Sequence, residues 1–166
     1  MKLSEYELLV FDWDGTLSDS AGRLIAAAMK ACMDVNIPQP EESFLRQHLG
    51  RTVDDIIRLG IPDLDPGDAA RLVERFRYHY YANAQETLLF EGVESTLTAL
   101  KSRGFMLAVA TNMSRRGLSV ALEHTSLSSY FDATRTADES GAKPDPTMLH
   151  ELMSELGVAS TATLMI

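Results

Sequence analysis

Two acidic residues directly follow a short apolar run near the start of the chain. Asp12 and Asp14 come after the apolar residues at 8–11 and are followed by Gly15. Because alternate residues of an extended chain point to the same side, we expect both carboxylates to project together, with Trp13 on the other side. Ligands of open α/β sheets bind at the carboxyl ends of the strands. The pair therefore predicts a nucleophile with a proton donor, a cation site, or both.

The residues DWDGTL at 12–17 resemble the DxDGT signature of the haloacid dehalogenase-like superfamily, and their surroundings are similar to its phosphoglycolate phosphatase branch. Two further segments follow in the order that this family requires. An apolar run at 105–110 ends in Thr111 and Asn112, and the residues KPDP at 143–146 precede an amphipathic segment. An acidic pair alone would be a weak signal, since such pairs are common in turns. The three segments together extend the resemblance over essentially the whole chain.

The resemblance implies a Mg²⁺-dependent phosphatase that acts on a small organic phosphate monoester. In this family Asp12 would be the nucleophile that becomes an aspartyl phosphate. Asp14 would protonate the leaving alkoxide and later activate water. Both residues would bind Mg²⁺, Asp12 through its carboxylate and Asp14 through its backbone carbonyl. Lys143 would neutralise the charge of the nucleophile and of the phosphoryl group.

Five further residues are expected to bind phosphate or substrate. By resemblance, the Thr111 hydroxyl and the Asn112 N–H would hold phosphoryl oxygens, although a Thr-Asn pair is also common turn chemistry. Gly15 and Thr16 belong to the same binding turn, where Gly15 lets the backbone turn sharply. Arg51 resembles the residue that reaches the substrate from the lid of related phosphatases, and a surface arginine is an equally good interpretation.

Alternating strands and helices predict an α/β fold with a Rossmann-like parallel sheet and right-handed crossovers. We predict four strands, at 7–12, 105–111, 132–137 and 161–166. A core formed by 1–16 and 88–166 is predicted to carry an all-helical cap, 17–87, inserted after the first strand. In the family such a cap is mobile and closes over the active site, which excludes water.

Tyrosines occupy three positions of the long helix that is predicted near the end of the cap. Tyr78, Tyr80 and Tyr81 could line a substrate pocket, but packing between helices is the favoured interpretation.

The overall charge argues against polyanionic partners. The chain has 24 acidic and 15 basic residues, which gives a formal net charge of -9, without a run of basic residues that could follow a phosphate backbone. We therefore expect no nucleic acid and no membrane partner, and a small phosphorylated metabolite as ligand. No apolar stretch is long enough to span a bilayer, and a cytoplasmic location is expected.

The chain departs from the family pattern at its end. Relatives carry a fourth motif, a Gly-Asp pair and a further Asp that complete the metal site, just after the strand equivalent to 163–166. Here the sequence stops at Ile166. We therefore expect a truncated form of a longer enzyme, with an under-liganded Mg²⁺ site and weak or no activity. Asp138 and Glu139 are the only nearby acids that could compensate, and the incomplete sheet could form a dimer.

Three alternative functions stay open at this point. A phosphomutase would use the same first steps. A haloacid dehalogenase on the same fold is disfavoured by Asp14, because the release of halide needs no acid for an alkoxide. A non-catalytic module left by truncation is the third alternative.

Overall fold

Four short strands form one parallel sheet in the order β3-β2-β1-β4. The structure is a computed structural model that describes residues 5–82 and 88–166. The strands are β1 (Leu8–Phe11), β2 (Met106–Thr111), β3 (Ala133–Thr136) and β4 (Thr163–Met165). Each lies within the range that the sequence predicts, and the α/β fold with a parallel sheet is confirmed.

The central strand β1 is buried on both faces, as its continuous apolar sequence predicts. Leu9 and Phe11 belong to the hydrophobic cluster on one face, whereas Leu8 and Val10 belong to the cluster on the other. This division follows from the alternation of side chains along a strand. Helices cover both faces: α5 (Val93–Ser102) and α6 (Arg115–Thr125) on the first, and α8 (Thr147–Leu156) on the second.

In the described part of the segment between β1 and α5, four helices form a helical insert. They are α1 (Ala21–Val35), α2 (Glu42–Gln47), α3 (Val53–Gly60) and α4 (Pro66–Ala82). The carboxylate of Asp34 in α1 pairs with Arg75 at 2.6 Å and with His79 at 2.7 Å, both in α4. These ion pairs and a small apolar cluster around Cys32 and Leu72 hold the two longest helices of the insert together.

Local signals in the sequence explain where these helices begin. Pro66 is the first residue of α4, where its missing N–H leaves no hydrogen bond unmade. The Thr52 hydroxyl accepts a hydrogen bond from the N–H of Asp55 at 3.1 Å and so caps α3. The predicted end of the cap at residue 87 and the chain start at 1–4 lie outside the described residues.

The chain leaves the core and returns to it along two paired segments. The N–H of Phe90 donates to the carbonyl of Leu17 at 3.0 Å, and the N–H of Asp19 donates to the carbonyl of Leu88 at 2.9 Å. The hydroxyl of the fully buried Ser18 also donates to Leu88, at 3.1 Å. The two connections between core and insert therefore lie side by side.

Two features of the core concern other predictions from the sequence: the segment that follows β3 and the edge of the sheet. A one-turn helix that the sequence does not predict, α7 (Ala137–Ser140), follows β3 without a break. Strand β4 lies at the edge of the sheet with Met165 and Ile166 exposed, and the dimer expected there stays a prediction. Among the described residues, every helix is too short or too polar to cross a bilayer.

The fully buried Leu118 of α6 provides a test of the core packing. We expect Leu118→Ala to lower the free energy of unfolding by about 2–5 kcal/mol, because it removes buried methyl groups and leaves a cavity against the sheet. Leu59→Ala, at a position of α3 that is 51% exposed, is the matched control and should change the stability by less than about 0.5 kcal/mol. Chemical denaturation measures both values, and equal losses would contradict the assigned core.

Candidate active site

The turn after β1 directs both acidic side chains into one cavity. The side chain of Trp13, between them, is fully buried in the core, and the backbone N–H of Trp13 donates to Oδ1 of Asp12 at 2.7 Å. Gly15 has a φ of 80°, a conformation that residues with a side chain rarely adopt. Asp12 and Asp14 therefore line the same cavity, on the opposite side of the chain from Trp13.

Lys143 forms an ion pair with Asp12. Its Nζ lies 2.8 Å from Oδ2 of Asp12 and also donates to the carbonyl of Ala110 at 3.2 Å. The N–H of Lys143 donates to Oδ1 of Asn112 at 2.7 Å, which ties the lysine loop to the end of β2. The ammonium group is thus held against the Asp12 carboxylate by contacts with the strand next to β1.

Thr111 and Asn112 lie at the carboxyl end of β2, beside the acidic pair. Thr111 is buried, and its Oγ1 accepts a hydrogen bond from the N–H of Met113 at 3.2 Å. The side-chain amide of Asn112 donates to the carbonyl of Gly50 at 2.8 Å. Asn112 therefore links the core to the helical insert through Gly50, the residue that precedes Arg51.

Asp14 is surrounded by residues of the helical insert. The hydroxyl of Tyr80 in α4 donates to Oδ1 of Asp14 at 3.4 Å, and Nη2 of Arg23 in α1 donates to the same hydroxyl at 2.5 Å. Desolvation raises the pKa of Asp14, and the nearby charge of Asp12 raises it further. Ser20, Arg23 and Tyr80 act in the opposite direction and lower it. The net effect favours a protonated Asp14 at a higher pH than for an ordinary aspartate.

Tyr80 and Tyr81 line the cavity and also make ring contacts within the insert, so the two interpretations of these tyrosines are compatible. Tyr80 is buried, the Arg23 guanidinium lies 4.2 Å from the centroid of its ring, and burial raises the pKa of its hydroxyl. Tyr81 shares a 2.6 Å hydrogen bond with Ser114, the residue that caps α6. Tyr78 is 58% exposed. The spacing of Tyr80 from Phe76, one helical turn earlier on the same face, was the available signal.

The cavity has a volume of about 360 Å³ and lies between the carboxyl end of the sheet and the four helices of the insert. Among the predicted site residues, it brings together Asp12, Asp14, Arg51, Thr111 and Asn112. Lys143 joins them through its ion pair with Asp12, although it does not line this cavity. Gly15 and Thr16 lie in the turn behind Asp14 and do not form part of its described wall.

The two acids that follow β3 are engaged with Arg115. Oε2 of Glu139 lies 2.5 Å from Nη2 of Arg115, and this pairing lowers the pKa of Glu139. Oδ1 of Asp138 accepts a hydrogen bond from the N–H of Arg115 at 2.9 Å. Asp138 lines the cavity with Asp12 and Asp14, but among the described residues these acids do not form a group that could hold a metal ion.

The donor set at the acidic pair fits a weakly held Mg²⁺. Within 5–82 and 88–166, no three His, Cys, Asp or Glu side chains converge on a point where they could hold a metal ion. Mg²⁺, however, commonly keeps several waters and binds through one or two carboxylates together with a substrate phosphate. The oxygens of Asp12 and Asp14 meet that minimum.

Comparison with known proteins identifies the family. The model of the haloacid dehalogenase-like hydrolase family matches residues 9–166. The chain belongs to this family. A phosphoglycolate phosphatase from Mannheimia succiniciproducens is 30% identical over 93% of this chain and 74% of its own length. Another, from Cupriavidus necator, is 31% identical over 95% of this chain and 71% of its own length. The resemblance stated from the sequence is confirmed.

Solved structures of other haloacid dehalogenase-like hydrolases share this fold. A predicted phosphoglycolate phosphatase from Haemophilus somnus superimposes with a TM-score of 0.86, at 24% identity, over 97% of this chain and 76% of that protein. A predicted phosphatase from Clostridium acetobutylicum gives a TM-score of 0.83 at 26% identity, over 96% and 74% of the two chains. The order of β1, the helical insert and the rest of the sheet is thus that of known hydrolases.

The raised pKa of Asp14 predicts the pH dependence of stability in the metal-free protein. Above the ordinary value of 3.8, the folded state binds this proton more tightly than the unfolded state, so stability falls as pH rises through the folded pKa. We expect Asp14→Asn to raise the melting temperature near neutral pH, because the amide cannot ionise. This increase in melting temperature should become smaller as the pH falls toward 3.8.

The matched control for this prediction is Asp63→Asn, which removes the same charge from an exposed turn. Thermal melts of both variants in a metal chelator measure the effect. A gain for Asp14→Asn that is independent of pH, or one equal to that of the control, would contradict the assigned environment of Asp14.

Proposed function

We propose that this protein is a Mg²⁺-dependent phosphatase that hydrolyses a small organic phosphate monoester through an aspartyl phosphate on Asp12. The observation that carries the proposal is the 2.8 Å ion pair between Lys143 and Asp12, a residue that follows β1 and lines a ligand-sized cavity. Family membership and the phosphoglycolate phosphatases among its relatives support the same reaction class.

The ammonium group of Lys143 offsets the charge repulsion that opposes the first step, the attack of Asp12 on the phosphate. An Asp12 carboxylate that attacks a phosphate dianion meets charge repulsion, which fixed positive charge close to the reacting oxygens offsets. Lys143 is already in place, because the carbonyl of Ala110 and the side chain of Asn112 hold its loop. Such prior positioning avoids reorganisation during the reaction. Lys143 therefore assists the attack without acting as an acid or a base.

Asp14 is suited to the role of general acid and base. A raised pKa keeps its carboxyl protonated at a pH where ordinary aspartates are ionised, so it can donate a proton to the leaving alkoxide. Once ionised, the same carboxylate can take a proton from the water that hydrolyses the aspartyl phosphate. A haloacid dehalogenase has no use for such a proton donor, because its leaving group is a halide.

The remaining phosphate contacts come from the end of β2. Thr111 and Asn112 lie on the cavity wall beside Asp12, where a hydroxyl and a backbone N–H can donate to phosphoryl oxygens. Gly15 and Thr16 form the turn after Asp14, and their N–H groups already donate to the carbonyls of Ser18 and Trp13, at 2.9 and 3.3 Å, so the phosphate donors proposed here are Thr111 and Asn112. In this proposal they share the phosphoryl charge with Lys143.

Mg²⁺ would be held by the carboxylate of Asp12 and the backbone carbonyl of Asp14, and it would neutralise phosphoryl charge when bound. With two protein ligands, its affinity is expected to be low and to increase with the phosphate in place. Phosphate release should therefore require a high concentration of Mg²⁺.

The helical insert would act as a cap over this site. We place the division between the core, 1–16 with 88–166, and the cap, 17–87, at the two paired connecting segments. Contacts between Tyr80 and Asp14 and between Gly50 and Asn112 close the cap over the acidic pair. Arg51 follows Gly50 on the cavity wall and would reach the substrate from the cap. Closure of this kind would reduce the access of water to the reacting groups.

Replacement of the nucleophile tests the reaction class. We expect Asp12→Asn to lower Mg²⁺-dependent phosphate release by about a thousandfold or more, because an amide cannot form the aspartyl phosphate. Asp19→Asn, at an exposed position of the adjacent turn, is the matched control and should retain activity. Release of inorganic phosphate from phosphoglycolate and other monoesters measures both variants. Undiminished release by Asp12→Asn would contradict the proposed nucleophile.

A phosphate analogue tests the assembly of the site without turnover. Beryllofluoride with Mg²⁺ mimics a phosphoryl group on a carboxylate, and it should raise the melting temperature of the wild-type protein because it binds the folded state alone. The shift should be absent in Asp12→Asn and smaller in Lys143→Gln, which removes the pairing charge. An equal shift in all three proteins would show that the analogue binds elsewhere.

A further inference from the structure

The inner part of the cavity is apolar. From Asp12 and Asp14 it extends between the helices of the insert, where the buried side chains of Ile25, Leu45 and Leu72 contribute to its wall. These residues come from α1, α2 and α4, so the apolar wall surrounds the space on several sides. A hydrated or charged group would find few polar partners in a space of this kind.

Charged residues on the described cavity wall are the acidic pair and residues at exposed positions. Asp12 and Asp14 lie at the reacting end. The other charged residues of the described wall are all exposed: Arg51, Asp54, Arg77 and Asp138. The guanidinium of Arg23 contacts Tyr80, and Arg23 does not form part of the wall. The inner wall therefore lacks, among the described residues, a cation that could pair with a second anionic group of the substrate.

We propose that the substrate's leaving group is apolar and uncharged, an aryl or branched alkyl alcohol that fills the space between the helices of the insert. The inference rests on the proposed phosphatase function and names the substrate class of the same site. With the phosphate at Asp12 and Lys143, the rest of the ester has to pass Asp14 into the cavity. On the described wall, a glycolate carboxylate would find cations only at the exposed Arg51 and Arg77, whereas between the buried apolar side chains it would be an unpaired charge, which is costly.

The size of the cavity indicates how large this group is. A dry apolar cavity of about 150 Å³ in another protein holds a benzene molecule. The cavity described here, at about 360 Å³, is more than twice as large. It also falls in the range of ligand pockets, which are mostly apolar with few polar groups. A leaving group with two fused rings therefore fits, and a group of the size of glycolate leaves most of the space empty.

Two primary alkyl phosphates compare the leaving groups at similar chemical reactivity. For the wild-type protein with Mg²⁺, we expect kcat/KM for 1-naphthylmethyl phosphate to exceed that for phosphoglycolate by about 10- to 100-fold, because each buried carbon contributes to transition-state binding. Calorimetry with the non-hydrolysable 2-(1-naphthyl)ethylphosphonate and 3-phosphonopropionate measures the same preference as affinity. This comparison needs no variant, so it does not depend on the folding of one.

A pair of substitutions in α1 locates the preference in the cavity. Ala28→Leu adds three carbons to the cavity wall and should lower the ratio of kcat/KM for the naphthyl ester to that for phosphoglycolate, and the affinity for the naphthyl phosphonate, by about tenfold or more. Ala26→Leu makes the same change on the exposed face of the same helix and should leave both substrates unchanged.

The outcomes separate this inference from the proposed function. Release of phosphate with equal or better kcat/KM for phosphoglycolate would overturn the apolar leaving group and leave the phosphatase in place. Binding of the naphthyl phosphonate without release of phosphate from either ester would support the apolar pocket and contradict the phosphatase. An equal effect of Ala28→Leu and Ala26→Leu would place the binding outside the cavity and overturn the inference.

Discussion

The ion pair between Asp12 and Lys143 is the interaction on which the candidate site depends. A carboxylate can approach a phosphate dianion only where positive charge is fixed nearby, and this charge comes from a residue far away in the sequence. It reaches Asp12 because β1 and β2 are neighbours in the sheet, with Phe11 opposite Val109. The carbonyl of Ala110, the residue directly after Val109, then accepts a hydrogen bond from the ammonium group. The parallel pairing of two short strands thus sets the electrostatics of the site.

The helical insert contributes to the chemistry as well as to the enclosure of the site. Tyr80 donates to Asp14, and Arg23 donates to Tyr80, so the environment of the acid is built from α1 and α4. Desolvation by these helices raises the pKa of Asp14. If the insert moved away, water would reach the carboxyl group and lower its pKa toward the ordinary value. The protonation of Asp14 is therefore coupled to the position of the insert.

The sequence predicted those parts of the fold that depend on neighbouring residues. The apolar run of β1, the proline that begins α4 and the threonine that caps α3 are local signals, and each element lies where they indicate. The partners of Asp14 could not be predicted in this way, because Tyr80 approaches it only after two helices have packed together. The engagement of Glu139 by Arg115 likewise depends on how α6 lies beside α7. The motifs identified Asp12, Asp14 and Lys143 as candidate site residues. The neighbouring residues that set the environment of the acids could be identified only from the tertiary structure.

The paired segments that join core and insert have a consequence for the evolution of such proteins. Because Leu17 and Phe90 are hydrogen-bonded neighbours, the chain leaves the sheet and returns to it at one place. The sheet therefore imposes almost no requirement on the length or architecture of what lies between these two residues. Loop closure becomes only slowly less favourable as an inserted segment grows. A different set of helices, or a much shorter loop, could be exchanged at this junction while the strand ends that carry Asp12 and Thr111 kept their places.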